Sequence, residues 1–290
     1  MIVTINLRSR RFGAEAHSID IVRPEMNCAA GNDDHAKRTA FMRILLTGAA
    51  SPLGRAIIDE LGENHQLRLF DNDPVEADPR HEVVTGSVTD ADRVWSAMRD
   101  IEVVLHTGEP PSQLPDDELA RDQMLLDLAT RGTHVLCKAA VEAGVKRVVY
   151  GSTLDLFDPY PDDVYISEMW KPQPAPHMVT MSRYLGELTC REFARDFHIS
   201  MTALRLGRLV REDEVAGQDA DLLWLDPRDA ARAFACALSR DTSQSPVWSS
   251  RWALYHVCAL PPNPKYLIAA ATGAIGFEPQ HNFAANWKAD

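Results

Sequence analysis

A turn with two glycines, at residues 47–54, has the residue types and spacing of a pyrophosphate-binding turn. It lies between an apolar run at 44–46 and a helix-like segment. Gly48 permits the tight turn, and Gly54 permits close packing of the helix on the strand. Ser51 can cap the helix and Pro52 suits its first turn, although proline has no N–H to offer a phosphate. Free amides at a helix N-terminus bind phosphate, and the residues expected to surround it are Gly48, Ala50, Ser51, Pro52, Leu53 and Gly54.

An acidic residue, Asp71, ends the next apolar run, about 20 residues after the first glycine of the turn. A carboxylate at this place accepts hydrogen bonds from the hydroxyls of an adenosine ribose and repels a 2′-phosphate. We therefore predict a site for NAD, with NADP less favoured, in which Asn72 flanks Asp71. The alternative is that Asp71 only caps the turn at 72–74.

Short apolar runs alternate with longer amphipathic stretches from residue 43 onward, as in parallel β-α-β units. The predicted strands are 44–46, 67–71, 83–84, 101–105, 146–150, 201–206 and 252–257. The predicted helices are 52–61, 90–99, 117–143 and 178–197, with one more beginning at 226. This order predicts an α/β fold, a Rossmann-type doubly wound parallel sheet with a small C-terminal lobe on the substrate side.

The alternation stops between residues 154 and 176, where five prolines exclude a long helix or a central strand. A long irregular segment within a compact domain is usually a functional loop. Ligands of open α/β sheets bind outside the carboxyl ends of the strands. We therefore expect one dinucleotide-binding domain at 42–290, with substrate-side segments at 154–178 and 207–290.

Several short motifs occur in a fixed order, and together they carry a resemblance that covers 43–279. They are the turn at 47–54, Leu105-His106-Thr107-Gly108, Arg131-Gly132-Thr133, the run at 143–153, Ser182-Arg183-x3-Glu187, Leu204-Arg205-Leu206-Gly207 and the run at 229–233. On these motifs the chain resembles the extended short-chain dehydrogenase/reductases of the NAD-dependent epimerase/dehydratase group. Its length and short C-terminal part are most similar to the uronate dehydrogenases.

The resemblance implies NAD as the cofactor and adds residues to the predicted site. His106, Thr107 and Gly108 would lie near the cofactor, and Ser87 stands where the family has an aspartate that faces the adenine. Ala129 replaces an asparagine of the family. The further positions implied to bind the cofactor are Val88, Ser152 and Arg183.

The family's chemistry depends on a Tyr-x3-Lys pair, and here the resemblance fails. In the family the tyrosine moves a proton while a hydride passes to nicotinamide, and the lysine holds the nicotinamide ribose and lowers the pKa of the tyrosine. The matching positions are Val179 and Arg183. Valine carries no proton, and arginine is permanently charged, so it can bind a ribose but cannot relay a proton. Thr153 matches the Ser/Thr of the family that hydrogen-bonds the reacting oxygen of the substrate. The alternative is that its hydroxyl only forms hydrogen bonds with the local backbone.

Other side chains could supply the missing proton donor. Tyr160 and Tyr165 lie in the irregular segment, and His177 directly precedes the next helix. Tyr184 adjoins Arg183, but on a helix it points about 100° away. Each of these residues is equally compatible with ordinary packing or surface contacts.

Composition narrows the class of partner. The chain has 290 residues and a formal net charge of −12, which disfavours nucleic acid and anionic membranes. Its five cysteines are scattered, without a Cys-x-x-Cys pair, which indicates neither a zinc site nor a disulfide framework and is typical of a cytoplasmic protein. No apolar run has the length of a membrane span.

Residues 1–41 are interpreted as a disordered extension or as the result of a start assigned too early, because Met42 directly precedes the first strand.

Two functions from different classes agree with these observations. The first is an oxidoreductase or epimerase that acts on a sugar, a sugar acid or a nucleotide sugar with a rearranged proton relay. The second is a non-catalytic protein that senses or binds a dinucleotide, or serves as a subunit. The resemblance also implies a homodimer formed through the two long helices at 117–143 and 178–197.

Overall fold

The computed structural model describes residues 41–215 and 217–287. All but the last residue of the predicted extension at 1–41 therefore lies outside the described residues. Within the described part, no helix is both long enough and apolar enough to cross a lipid bilayer.

Seven parallel strands form the central sheet, in the order β3-β2-β1-β4-β5-β6-β9. The strands in chain order are β1 (Arg43–Thr47), β2 (Gln66–Asp71), β3 (Glu82–Thr85), β4 (Val103–His106), β5 (Arg147–Thr153), β6 (Ser200–Leu206), β7 (Arg208–Leu209), β8 (Trp224–Leu225) and β9 (Trp252–Val257). The order reverses at β1, so β2 and β4 flank it. The predicted doubly wound parallel sheet is confirmed.

Eight α-helices connect and cover the strands within the described residues. They are α1 (Pro52–Leu61), α2 (Ala91–Ala97), α3 (Glu118–Asp127), α4 (Thr133–Glu142), α5 (Met178–Asp196), α6 (Pro227–Ala237), α7 (Trp248–Arg251) and α8 (Ala269–Ile275). The side chains of Ser51, Asp90 and Asp226 accept hydrogen bonds from first-turn amides of α1, α2 and α6. Each therefore stabilises a helix start as its residue type predicts.

The sheet separates two apolar layers. Ile44 and Leu46 of β1 pack in the layer that contains α1 and α6, and Leu45 packs in the layer that contains α2, α4 and α5. Successive side chains of a strand point to opposite faces, so a fully apolar strand is what a sheet covered on both sides requires. Burial on both faces of the sheet explains why the short runs that form its strands are continuously hydrophobic.

The helix predicted at 117–143 is interrupted. A π-helical turn at Leu128–Gly132 separates α3 from α4. Such turns insert one extra residue into a helix and are often found at functional sites. Gly132 belongs to this turn, and a Cβ there would collide with the side chain of Val88. The missing side chain thus lets the helix pack against the segment that follows β3. The extent of the helical region predicted at 117–143 is confirmed, and the π-helical turn within it was not predicted.

The C-terminal part divides between the main layers and a small lobe. Of the segment predicted on the substrate side at 207–290, α6 packs on α1 and β9 joins the main sheet. The lobe holds the short parallel pair β7 and β8 and a small apolar cluster that includes Trp224 and Phe283. The segment 154–177 forms one 3-10 turn, Leu154–Phe157, and is otherwise irregular. A single bridge from Ile166 to Tyr266 ties it to the chain after β9.

A buried carboxylate attaches α5 to the sheet. Glu187 accepts a hydrogen bond from the hydroxyl of Ser152 on β5, at 2.7 Å. It also forms a two-contact ion pair with Arg205 on β6, at 2.7 and 3.0 Å. Ser152 and Arg205 are register partners, so one side chain of α5 spans two adjacent strands. The contacts fix both the height and the rotation of α5 over the sheet.

Replacing Glu187 with alanine should destabilise the fold strongly. Arg205 would keep a buried charge without its counter-charge, and breaking a buried pair in this way costs about 3–5 kcal/mol. We expect that loss in the free energy of unfolding, measured by urea denaturation. Glu192→Ala, on the exposed side of the same helix, should change it by less than about 0.5 kcal/mol. Equal effects of the two substitutions would contradict the anchoring role of Glu187.

Candidate functional site

A cleft opens at the carboxyl ends of β1, β2, β4 and β5, with the π-helical turn and α5 on its far side. Its volume is about 1030 Å³, the open mouth included. Of the predicted site residues, those that line it are Gly48, Ala50, Ser51, Pro52, Asp71, Asn72, Val88, His106, Thr107, Gly108 and Arg183. Those that do not line it are Leu53, Gly54, Ser87, Ser152 and Thr153.

The glycine turn after β1 forms the floor of the cleft. Gly48 has a φ of 74°, and a Cβ there would collide with the hydroxyl of Thr107. Ser51 donates to the carbonyl of Gly48 at 2.7 Å and accepts from the amide of Gly54 at 3.0 Å. Leu53 and Gly54 are buried beneath the turn, where a Cβ on Gly54 would meet the carbonyl of Gly48. The predicted roles of Gly48 and Ser51 in shaping the turn thus agree with the geometry.

Asp71 ends β2 at one side of this turn. Its Oδ2 accepts from the amide of Ala50 at 2.9 Å, and its Oδ1 accepts from the amide of Asp73 at 3.0 Å. The second contact caps the local turn at 72–74, as the alternative hypothesis for Asp71 predicted. Each carboxylate oxygen can accept two hydrogen bonds, so the cap leaves acceptor capacity toward the cleft. Asn72 and Asp73 line the cleft beside it.

Ser87 and Val88 follow β3 and differ in their placement. Val88 lines the cleft. The hydroxyl of Ser87 contacts the hydroxyl of Thr89 at 2.8 Å and accepts from its amide at 3.2 Å. The Ser87 side chain therefore shapes the turn that leads into α2, and the structure does not bring it into the cleft.

His106 ends β4 and is held on both ring nitrogens. Nδ1 lies 2.7 Å from the hydroxyl of Thr47, and Nε2 lies 3.3 Å from the hydroxyl of Thr133. Burial, and next the positive charge of Arg183, lower the pKa of His106 to about 4. The ring is therefore neutral at physiological pH. Gly108, with a φ of 66°, approaches β5 so closely that a Cβ would collide with the carbonyl of Gly151.

Val179 and Arg183 stand one turn apart on α5 and both face the cleft. Val179 is 44% exposed and offers no polar atom. Arg183 donates from Nη1 to Oε1 of Glu109 at 2.7 Å. Its Nη2 donates to the carbonyls of Gly151 and Ser152 at 3.2 and 3.1 Å. The positions that carry tyrosine and lysine in the family thus hold an apolar side chain and a guanidinium bound to the protein.

The two hydroxyls at the end of β5 are directed away from the cleft. Ser152 donates to Glu187, as described above. Thr153 donates to a carboxylate oxygen of Asp155 at 2.8 Å and accepts from the amide of the same residue at 3.2 Å. Thr153 therefore makes the local contacts of its alternative reading. Sequence reasoning placed β5 at 146–150 and missed that the strand continues through Thr153.

None of the four side chains considered as substitute proton donors lines the cleft. The hydroxyl of Tyr160 donates to the carbonyl of Lys171 and accepts from Gln173. Tyr165 is 63% exposed. Tyr184 packs against the apolar layer that contains α1, and His177 is exposed at the N-cap of α5.

Several cleft residues were not predicted, and two of them, Tyr150 and Glu109, contact Arg183. Tyr150 is buried, and its hydroxyl donates to the carbonyl of Arg183 at 3.0 Å; burial raises the pKa of Tyr150 well above its ordinary value. Glu109 lines the cleft beside Arg183. Its position directly after the motif that ends in Gly108 was a signal, since residues at strand ends face the crevice. Its ion pair with Arg183 joins residues far apart in the chain and could not be read from either motif alone.

The geometry fits a dinucleotide. The amide of Leu53, in the first turn of α1, has no acceptor among the described residues, as expected for an amide that binds phosphate. No group of histidine, cysteine or carboxylate side chains suited to a metal ion occurs within residues 41–215 and 217–287. The charged side chains that line the cleft are Asp71, Asp73, Glu109 and Arg183.

The sequence profile of the NAD dependent epimerase/dehydratase family matches residues 44–223 of this chain. The match contains the glycine turn, Asp71, the end of β4, and the segment of α5 that holds Val179 and Arg183. It therefore covers the whole of the cleft.

Three individual proteins illustrate what this chain is similar to over most of its length. An NAD-dependent glucose-6-phosphate dehydrogenase of Haloferax volcanii is 26% identical over 262 residues, which cover 83% of this chain and 94% of that protein. A uronate dehydrogenase of Pseudomonas syringae pv. tomato is 27% identical and covers 70% of this chain and 72% of its own length. A mutant uronate dehydrogenase of Agrobacterium tumefaciens, crystallised with NAD, has the same fold, with a TM-score of 0.68 at 21% identity over 85% of this chain and 87% of that one.

The lowered pKa of His106 predicts a loss of stability in mild acid. Between about pH 6.5 and 4 the unfolded chain binds a proton at this histidine and the folded chain does not, so the free energy of unfolding falls as the pH falls. Each such histidine contributes about 1.4 kcal/mol per pH unit in that window. His256 of β9, whose pKa burial and the nearby Arg205 lower to about 3, adds an equal slope.

Removing His106 should therefore make the acid dependence shallower. We expect His106→Gln to reduce the slope of unfolding free energy against pH, between pH 6 and 4.5, by about 1.4 kcal/mol per unit. Urea denaturation at several pH values measures it. His198→Gln, at an exposed position, should retain the full slope. An unaltered slope in His106→Gln would mean that His106 is protonated in the folded protein.

Proposed function

This chain belongs to the NAD dependent epimerase/dehydratase family, and from that premise we propose that it binds NAD in the cleft but performs the family's alcohol oxidation very slowly or not at all. The observation that carries the proposal is the combination of an intact glycine turn and Asp71 with Val179 at the opposite end of the same cleft.

The cofactor-binding half of the proposal rests on residues around β1 and β2. The first turn of α1 would bind the pyrophosphate through amides, with Ser51 holding the turn in shape. Asp71 would accept from the adenosine ribose, and its charge disfavours the 2′-phosphate of NADP. Val88 and Asn72 would flank the adenosine, and His106, Thr107 and Gly108 would lie along the second half of the dinucleotide.

The catalytic half of the proposal concerns proton transfer. NAD, when bound, would supply the hydride acceptor. Oxidation of an alcohol also needs a group near the substrate oxygen that can take a proton. Val179 has none, Tyr150 is buried and binds a backbone carbonyl, and His106 is held between two threonines. Thr153 and Arg183, which match catalytic positions of the family, bind the protein itself, and an arginine cannot relay a proton.

The substrate class is proposed from the relatives. Proteins named for glucose 6-phosphate, uronates and L-arabinose are similar to this chain, so a small sugar derivative is the substrate we would test first. The rival function is a non-catalytic dinucleotide sensor or subunit. The observation in its favour is that both terminal nitrogens of Arg183 donate to Glu109 or to carbonyls of β5, where the family keeps a lysine for the nicotinamide ribose.

Two further properties remain proposals. A homodimer through α3, α4 and α5 is supported by exposed apolar side chains on α3, namely Leu119, Met124 and Leu126. A cytoplasmic location is supported by the described cysteines, which are free thiols, as a reducing compartment would keep them.

Cofactor preference tests the role of Asp71. We expect calorimetry to show NAD binding at least about tenfold tighter than NADP, which corresponds to about 1.4 kcal/mol. Asp71→Ala should remove most of that preference because the repelling charge is lost. Asp59→Ala, on the exposed face of α1, should preserve it. NADP binding as tight as NAD in the unmutated protein would overturn the assignment of Asp71.

Turnover tests the catalytic half. A general acid–base residue contributes typically about 10²–10⁴-fold in rate, so the unmutated protein should oxidise glucuronate, galacturonate or glucose 6-phosphate well below about 1 s⁻¹. NADH absorbance measures the rate, with an active uronate dehydrogenase as positive control. A rate of about 1 s⁻¹ or faster on any of these substrates would contradict the proposal. The search for the proton acceptor would then begin with Tyr160, Tyr165 and His177.

A further inference from the structure

The ion pair between Arg183 and Glu109 crosses the cleft wall at the end opposite Asp71. The two side chains are only 13% and 18% exposed. The pair connects α5 to the loop after β4, where Glu109 directly follows Gly108. A charged pair this enclosed is costly to desolvate, so stabilisation of the fold alone does not account for its position in the cleft.

The arginine of the pair faces the protein. Its three hydrogen bonds go to Glu109 and to two carbonyls of β5. Its Nε is enclosed and has no hydrogen-bond partner among the described residues. Arg183 thus holds the carboxylate of Glu109 in place, whereas the family's lysine donates directly to the ribose.

The glutamate of the pair keeps an unused acceptor. Oε1 receives the hydrogen bond from Arg183, and Oε2 receives none from the part of the chain that the structure describes. Glu109 lines the cleft, and its backbone amide is held by the hydroxyl of Thr107 at 3.3 Å. An ionised carboxylate that an arginine orients, with one oxygen open to a cleft, is a strong acceptor for hydroxyl groups.

Asp71 and Glu109 occupy corresponding places on the two sides of the glycine turn. Asp71 ends β2, and Glu109 follows closely after β4. β2 and β4 are the two neighbours of β1, and the turn at 47–54 leads out of β1. A dinucleotide has a central pyrophosphate with one ribose on each side. A pyrophosphate on the turn would therefore have a carboxylate available to each ribose.

We propose that Glu109, oriented by Arg183, binds the hydroxyls of the second ribose of NAD, as Asp71 binds those of the first. This inference rests on the proposed NAD site and names the residue that replaces the family's lysine in holding that ribose. Arg183 is a positioning residue in this arrangement, and no proton is transferred.

The test compares ligands that contain one or both riboses. ADP carries only the adenosine ribose, ADP-ribose carries both riboses without the nicotinamide ring, and NAD carries both with it. Calorimetry gives the dissociation constant of each for the unmutated protein, Glu109→Gln and Asp71→Asn. Glu109→Gln keeps the size of the side chain and removes its charge. Glu109→Asp is the second variant, which keeps the charge and shortens the reach.

We expect Glu109→Gln to raise the dissociation constants of NAD and ADP-ribose by about tenfold or more, as for the loss of hydrogen bonds to a charged group. ADP should bind within about twofold of the unmutated affinity, which also shows that the variant is folded. Glu109→Asp should show the same selectivity. Asp71→Asn should weaken all three ligands because all contain the adenosine ribose.

Three outcomes would overturn the inference. They are unchanged binding of ADP-ribose in both Glu109 variants, an equal loss for ADP, and tighter binding of NAD, which would mean that Glu109 competes with the ribose for Arg183. Failure of the proposed NAD site is a different result, since the unmutated protein would then bind none of the three ligands.

Discussion

The buried carboxylate of Glu187 fixes the relation between α5 and the sheet, and the chemistry of the cleft depends on that contact. Because Glu187 binds Ser152 of β5 and Arg205 of β6 at once, α5 can neither slide along the strands nor rotate about its axis without breaking a buried ion pair. Residues one and two turns earlier on the same helix face are then set toward the cleft. These residues are Arg183 and Val179. The contact that stabilises the fold therefore also determines which side chains meet a ligand.

With α5 anchored to the sheet in this way, the side chains at 179 and 183 determine what the cleft can do. A tyrosine and a lysine there would form a proton relay, whereas Val179 closes the wall with apolar atoms and Arg183 extends to Glu109. The positive charge that would lower the pKa of a tyrosine instead orients a carboxylate. Burial, and next the same guanidinium, lowers the pKa of His106 to about 4, so its ring is neutral at physiological pH. The cleft thus keeps the glycine turn and Asp71, and it has an apolar side chain and an ion pair where the family has a proton relay.

Local patterns predicted the bounds of several helices and strands well. The bounds of α1 and β9 were read correctly from a capping serine, a first-turn proline and an apolar run, because such signals act over a few residues. The π-helical turn at Leu128–Gly132 was missed because one extra residue leaves the apolar pattern of a helix nearly unchanged. The pair β7–β8 was missed because two-residue strands carry no periodicity. The Glu109–Arg183 ion pair and the commitment of Ser152 to Glu187 arise from tertiary packing between distant segments, which motif spacing does not encode.

A crystal structure of the unmutated protein with NAD would test the central claim most directly, that this cleft binds the cofactor through two carboxylates and has no proton relay. The pyrophosphate should lie on the first turn of α1, with one ribose at Asp71 and the other at a Glu109 that is still paired with Arg183. Val179 should face the nicotinamide end, with no tyrosine or histidine side chain within about 3.2 Å of the place where a reacting hydroxyl would lie. A complex in which Tyr160, Tyr165 or His177 has moved to that place, or in which the second ribose binds Arg183 and has displaced Glu109, would contradict it.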